Sequence, residues 1–335
     1  MALSLDKDVL LFFEDVDRDT FVRGDRRLHR LLRKTWYLAR SGRPKVTGFE
    51  MWFLLLKKAL ERVGRRVHVN ATGLARRNPR FPIGMVGYPH ILDGWSLPNP
   101  AVLGPGMIDH PNVVPDLMRD PRFKLYVVTS DWYGAMFAKA YGESRLAPWY
   151  AGIDLEAWPD LSAHPKDVDV LVYDKARWRR EELEPDLIAP IHRLLRERGL
   201  RAETLRYGQY DLAKYRSLLA RSRSMLFLCE SETQGLAYQE AMASSVPILA
   251  WDQGTWVDPQ ARRYDAHPIP ATSVPYFGPE CGERFRDASD FPAVFARFWG
   301  NLPRYTPREF VRTRLSLEGS GKLYLQHLER AALME

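Results

Sequence analysis

MLFLCESETQGLAYQEAMASSVPILA, residues 225–250, holds the most structural information of any stretch in the chain. Met225–Cys229 is an apolar run of strand length, Leu236–Ala243 is rich in helix formers, and Pro247–Trp251 is a second apolar run. Strand, loop, helix and strand in that order make one βαβ unit of a parallel sheet. Gly235 stands where the helix begins, and the free backbone N–H groups of a helix start suit an anion such as a diphosphate. Glu232 lies in the loop and Glu240 about one and a half helical turns past Gly235. Two carboxylates flanking a phosphate cradle would accept hydrogen bonds from sugar or ribose hydroxyls. The plainer alternative is an acid near a helix N-terminus, which the helix dipole favours with no ligand at all.

The same alternation extends in both directions. Asp169–Tyr173 reads as a buried strand, and Glu181–Arg198 as a helix that tolerates Pro185 and Pro190 only near its start or at a kink. Ala202–Tyr207 is the next strand, and Asp211 caps a helix to Ala220. Toward the N-terminus, strands are expected at Asp8–Phe13, Arg66–Val69, Ile83–Val86, Ala101–Leu103 and Lys124–Thr129. Thr47 and Gly48 open a helix over Phe49–Val63 that Gly64 ends. Two such arrays, joined near residues 155–166, predict two Rossmann-like domains facing across a cleft, with a last helix at Leu323–Leu333. A further helix is expected at Asp25–Arg40, with Leu28, Leu31, Leu32 and Trp36 on one face and Arg26, Arg27, Arg30, Arg33 and Lys34 on the other. Its apolar stripe suits either the domain's own sheet or the headgroup layer of an anionic membrane.

Composition narrows the classes. Of 335 residues, 45% are apolar and 27% charged, which excludes wholesale disorder. Forty-nine basic against 42 acidic residues leave a charge of +7, which favours anionic partners. Cys229 and Cys281 are the only cysteines, too few for a disulfide scaffold or a four-cysteine zinc site. No apolar run reaches the length of a membrane span, and MALSLDKD has acids where a signal peptide has basic and then apolar residues. A cytoplasmic protein is expected, with peripheral attachment to the inner membrane face left open by the basic helix. The pairs Asp15/Asp17, Asp17/Asp19 and Asp167/Asp169 have the form of a metal motif, but a chain this rich in Asp produces such pairs by chance. No Gly-x-Gly-x-x-Gly follows the first strand and no Gly-x4-Gly-Lys-Ser/Thr occurs.

The 225–250 stretch resembles the Glu-x7-Glu signature of retaining GT-B glycosyltransferases of family 4 (glycosyl transferases group 1), E-G-F-G-L-x-x-x-E-A-M-A-x-G-x-P-V. Glu232, Gly235, Leu236, Glu240, Ala241, Met242, Ala243 and Pro247 match in register, while Thr233, Gln234 and Ser245 depart from it. Gly48 with its following helix, Gly152-Ile-Asp154, and Arg308–Ser320 echo other parts of that family in the same order. The resemblance implies an α/β GT-B fold: an acceptor-side domain over 1–157, a donor domain over 158–305, and a tail over 306–335 returning to the first domain. It implies that Glu232 holds the sugar hydroxyls and Glu240 the ribose. Lys175 and Arg180, five residues apart, would grip the diphosphate together with the Thr233, Gln234, Gly235 and Leu236 segment. His110, with His90 as its rival, would lie near the reacting carbon, and Gly48 on the acceptor side. The implied reaction is transfer of a sugar from a nucleoside diphosphate to a glycan or lipid-linked hydroxyl, with retention, without metal or cofactor and without nucleic acid. The alternatives are another GT-B enzyme, such as an epimerase or an inverting transferase, and a non-catalytic nucleotide-sugar or nucleic-acid binding protein.

Overall fold

The computed structural model describes residues 3–14, 28, 31, 32, 35, 48–260, 263–265 and 267–334. These divide into two compact units: one of residues up to Thr129, Gly134–Gly152 and the segment from Leu317, the other of Ser130–Tyr133 and Ile153–Ser316.

The first unit is built on strands β1 (Asp8–Glu14), β2 (Arg66–Val69), β3 (Ile83–Gly87), β4 (Ala101–Leu103), β5 (Phe123–Val128) and β6 (Leu146–Pro148). They form one parallel sheet in the order β2-β1-β3-β4-β5-β6. Val9, Leu10 and Leu11 are fully buried, as a central parallel strand covered on both faces requires. Helix α1 (Gly48–Arg62) turns Phe53, Leu56, Ala59 and Leu60 inward, a stripe at helical spacing. Helices α2 (Thr72–Arg77) and α3 (Asp131–Tyr141) follow β2 and β5. The C-terminal helix, Leu317–Leu333, packs on α1, and the contact depends on Gly321: a Cβ there would run into the Ala59 carbonyl. Buried Trp149 ties the same helix down by donating Nε1–H to the Ser320 carbonyl at 3.2 Å. The tail thus belongs to the first sheet from Leu317, whereas the sequence reading starts it at 306.

The second unit has strands β7 (Val168–Lys175), β8 (Ala202–Arg206), β9 (Ser222–Cys229), β10 (Ile248–Trp251) and, after the antiparallel ribbon β11 (Thr255–Trp256) and β12 (Ile269–Pro270), β13 (Gly282–Phe285). The five sheet strands are parallel, in the order β13-β10-β9-β7-β8. The helix expected over 181–198 is α4 (Arg180–Leu183) and α5 (Ala189–Glu197) with a π turn at Glu184–Ile188 between them. Pro185 has no N–H to give to the ladder, and the wider turn forms around it. Helix α6 (Leu212–Arg221) is capped as expected, Asp211 accepting from the Lys214 N–H at 2.7 Å. Helices α7 (Leu236–Ala243), α8 (Phe291–Asn301) and α9 (Pro307–Arg314) complete the unit. Val170, Leu226 and Leu249 from the strands pack with Ile191, Leu195, Phe291, Phe295 and Phe298 from the helices in its core. Both expected parallel sheets are therefore present. The register that matters for chemistry is Lys175 opposite Cys229, which sets the ends of β7 and β9 side by side.

Most of the basic helix read at 25–40 lies outside the described residues, as do Asp15, Asp17 and Asp19. Leu28, Leu31 and Leu32 are described; they are helical and 57%, 60% and 57% exposed. These three leucines are not buried on a sheet, contrary to the packing alternative for that helix. Among the described residues no helix is long and apolar enough to cross a membrane.

Candidate active site

Parallel sheets present their loops, and so their ligands, at the C-terminal ends of the strands. At that edge of the second sheet β9 leaves the core at Cys229, and the chain passes through Glu230 and Glu232 into α7. The Glu230 side chain is fully buried, its carboxylate accepting from the N–H groups of Arg177 at 3.0 Å and Trp178 at 3.1 Å. That pins the turn after β7 to the end of β9. Beside it the Lys175 ammonium pairs with the Glu232 carboxylate, with only 13% and 14% of the two side chains exposed. Burial alone would lower the Lys175 pKa, but the charge and hydrogen bond of Glu232, together with Cys229 and Tyr207, outweigh it and hold the ammonium above its usual range. The Cys229 thiol also donates to Glu232, at 3.5 Å; burial and that carboxylate push its pKa far up, so it is no nucleophile. The Tyr207 ring lies 4.7 Å from Lys175 Nζ, and the Arg177 guanidinium lies 4.7 Å from the Trp178 ring.

Gly235 sits at the start of α7 with φ +84°, and a Cβ there would clash with the Tyr238 ring. Glycine is therefore required for the turn that presents the first amides of α7. Gly235→Ala is expected to lower the melting temperature, read in a thermal scan beside the parent. Glu240 lies on α7, where the Arg216 charge acts on it through space. Burial raises its carboxyl pKa from 4.5 to about 8, with Arg216 pulling only weakly the other way. Tyr210 feels one of the two acids: its hydroxyl meets that of Tyr173 at 2.5 Å, and its pKa, raised chiefly by burial, also responds to Glu240 and Lys175. The result is an ammonium–carboxylate pair at the strand end and, on the helix that follows, a second carboxylate.

No family model matches the chain, and no curated protein does. Among solved structures, the catalytic domain of starch synthase IV from Arabidopsis thaliana, bound to ADP and acarbose, is similar with a TM-score of 0.57 and 12% identity, over 97% of this chain and 99% of that one. A UDP-forming α,α-trehalose-phosphate synthase from Burkholderia vietnamiensis has a TM-score of 0.51 and 13% identity, over 97% and 98%. The fold is GT-B. TarM from S. aureus matches at a TM-score of 0.47 and 10% identity over 74% of this chain, which spans just 55% of TarM.

Within this GT-B chain the residues singled out by sequence fall into separate groups. Lys175 and Glu232 pair as described, Gly235 caps α7, Glu240 lies on that helix, and Thr233 and Leu236 are half-buried. Gln234 has a buried side chain, with Nε2 donating to Gln239 Oε1 at 3.1 Å. Arg180 opens α4. Its guanidinium is taken by Asp174 and, at 2.7 Å, by Glu184, so it does not stand with Lys175 as the five-residue spacing suggests. Asp174 occupies the place of a glycine in the family pattern and supplies the charge that draws Arg180 away.

In the first unit His110 is buried, its Nδ1 accepting from the Asn112 N–H at 3.1 Å, and His90 is buried against Tyr88 with ring centroids 5.7 Å apart. Gly48 is the first residue of α1, with open space where a Cβ would point. Asp167 and Asp169 are engaged by Arg201, Arg221 and Arg223. Among the described residues no three His, Cys, Asp or Glu side chains gather as a metal site needs. Sequence reasoning missed Glu230, Trp178 and Tyr207. Of these only Glu230 left a trace, as an acid directly following a buried strand.

Proposed function

We propose that this chain is a glycosyltransferase that moves a sugar from a nucleoside diphosphate to a hydroxyl of a glycan or lipid-linked acceptor, with retention of configuration and without a metal ion. The observation that carries this reading is the Lys175–Glu232 pair at the end of β7, in the loop that leads into α7, with Glu240 on that helix. A diphosphate placed there would receive the first amides of α7 and the Lys175 ammonium. Glu240 would accept from ribose hydroxyls and Glu232 from sugar hydroxyls. As the bond from the sugar's anomeric carbon to the phosphate oxygen breaks, negative charge grows on the leaving diphosphate, and Lys175 with the helix start stabilises it. The acceptor oxygen forms its bond on the same face, and its proton passes to the departing phosphate oxygen. His110, His90 and Gly48 are proposed for the acceptor side on the resemblance alone.

Incubation with UDP-, ADP- and GDP-sugars and a hydroxyl acceptor panel tests the reading, with the anomer of the product followed by proton NMR. Release of nucleoside diphosphate with a retained anomer is expected; an inverted product would refute the proposed stereochemistry. Transfer should persist in EDTA, the positive charge coming from Lys175 and α7, and a requirement for added manganese or magnesium would contradict that. The exposed Leu28, Leu31 and Leu32, with the basic residues of the same sequence segment, also support reversible attachment to an anionic membrane. Flotation with phosphatidylglycerol vesicles is expected at low salt and not at high salt; its absence at low salt would rule the attachment out.

A further inference from the structure

The second unit also carries a groove of about 770 Å³ at the opposite edge of its sheet. Lys166, Arg223, Ser245, Trp299, Tyr305 and Arg308 are among its lining residues. Arg223 is the second residue of β9, whereas Cys229 ends that strand beside the candidate active site. Six residues of extended chain separate the two by about 20 Å, so the groove is a separate place on the fold.

Its charge is unbalanced in a specific way. Four cations, Lys166, Arg223, Arg308 and Arg312, line it with two acids, Asp160 and Glu309. Glu309 is consumed by Arg312, which it meets through both carboxylate oxygens. Asp160 accepts from Ser162 N–H at 2.9 Å and from Ser245, a non-glycine residue at φ +62°. Lys166 and Arg308 are instead held by neutral carbonyls. Lys166 Nζ donates to Ala220 at 3.0 Å, and Arg308 donates to Trp158 at 2.7 Å and to Ala243. Arg223 has only a 3.5 Å contact with Asp169 and is 54% exposed. Two held cations and one free to swing therefore surround the groove without a carboxylate bonded to Lys166 or Arg308. Burial lowers the Lys166 pKa, and the Asp160 charge, which acts through space on Lys166 and Arg308, offsets that only in part.

The aromatic lining adds a second chemistry. Trp299 stacks on Phe295 with ring centroids 5.7 Å apart, and Tyr305 on Phe298 at 5.5 Å. Both rings are half-buried, held rigid by the core while also lining the groove. Rigid aromatic walls suit the apolar faces of a pyranose ring, and preorganised cations suit a phosphate ester. We propose that this groove binds a sugar phosphate, its phosphate on Lys166, Arg223 and Arg308 and its ring against Trp299 and Tyr305. The site is independent of the proposed donor site.

Calorimetric titration of the whole chain with glucose 6-phosphate, inorganic phosphate and glucose tests it, each run with and without saturating nucleoside diphosphate. Glucose 6-phosphate should bind saturably and at least about tenfold more tightly than inorganic phosphate, with glucose silent and nucleoside diphosphate without effect. Arg223→Gln, on an exposed strand end, should leave folding intact and weaken glucose 6-phosphate at least about tenfold. Lys175→Gln, at the other edge, should not change it. No saturable binding of glucose 6-phosphate, equal binding of inorganic phosphate, or insensitivity to Arg223→Gln would each overturn the proposal. So would loss of binding in Lys175→Gln, which would assign the sugar phosphate to the other edge. If nucleoside diphosphates fail to bind at all, the proposed donor site fails while the groove is still tested by the Arg223 variant.

Discussion

Glu232→Gln is expected to weaken the empty protein and tighten its grip on nucleoside diphosphate while sugar transfer is lost. Glu232 is the charge partner of a Lys175 ammonium that is only 13% exposed. Removing one member of a buried pair strands the other, at a cost on the order of 3 kcal/mol. A diphosphate supplies the missing negative charge, and in the variant it no longer competes with a carboxylate for Lys175. Its dissociation constant should therefore fall by about tenfold and its stabilising effect should rise. Turnover should fall by at least about a hundredfold, because the sugar loses the group that fixes it for attack. Thermal scans with and without nucleoside diphosphate, beside a donor-turnover assay, separate these effects. Weaker nucleotide binding with near-normal transfer would remove Glu232 from the mechanism.

Glu240→Gln should give the opposite stability result. Its carboxyl has a pKa of about 8 when folded, against 4.5 as the ordinary value. Between those two values the folded state binds more protons than the unfolded one, so stability falls as pH rises from about 4.5 to about 8 and levels off above. Glutamine removes that dependence. The variant should match the parent near pH 4 and melt higher than it at pH 8, while binding donor roughly tenfold or more weakly through loss of a charged acceptor. Donor affinity of the parent should itself rise as Glu240 ionises between pH 6 and 8, and that of the variant should stay flat. A melting profile for Glu240→Gln parallel to that of the parent would show that Glu240 is not the titrating group. A gain in stability joined to a loss in function is what a site held in a costly state predicts.

How much of this the sequence reveals depends on whether the signal is local. Most strands of both sheets are legible because a covered parallel strand is apolar on both faces, as Val9–Leu11 and Met225–Cys229 are, while the short β6 and β13 pass unread. Lys175, Glu232, Gly235 and Glu240 are legible because strand ends and a helix start place them by spacing. Helix α3, apolar nearly all round with only Asp131 and Lys139 charged, has a weak stripe and passes unread, and α8 passes unread as well. Arg180 and Gln234 show the limit of spacing. The backbone position of each is as expected, but Asp174 and Gln239 decide where the side chains go, and partners chosen in three dimensions leave no periodicity. Glu230 is hidden for the same reason, since its role rests on two backbone amides from a loop more than fifty residues away in sequence.

The central claim is that the Lys175–Glu232 pair holds the place of a diphosphate. The double variant Lys175→Met/Glu232→Gln removes both charges at once, so neither is stranded and the fold should keep a melting temperature close to that of the parent. Thermal scans of parent and double variant with UDP, ADP and GDP are the most direct measurement. At least one of the three should raise the melting temperature of the parent, and that rise should vanish in the double variant. A parent indifferent to all three, or a double variant that responds as the parent does, would contradict the account.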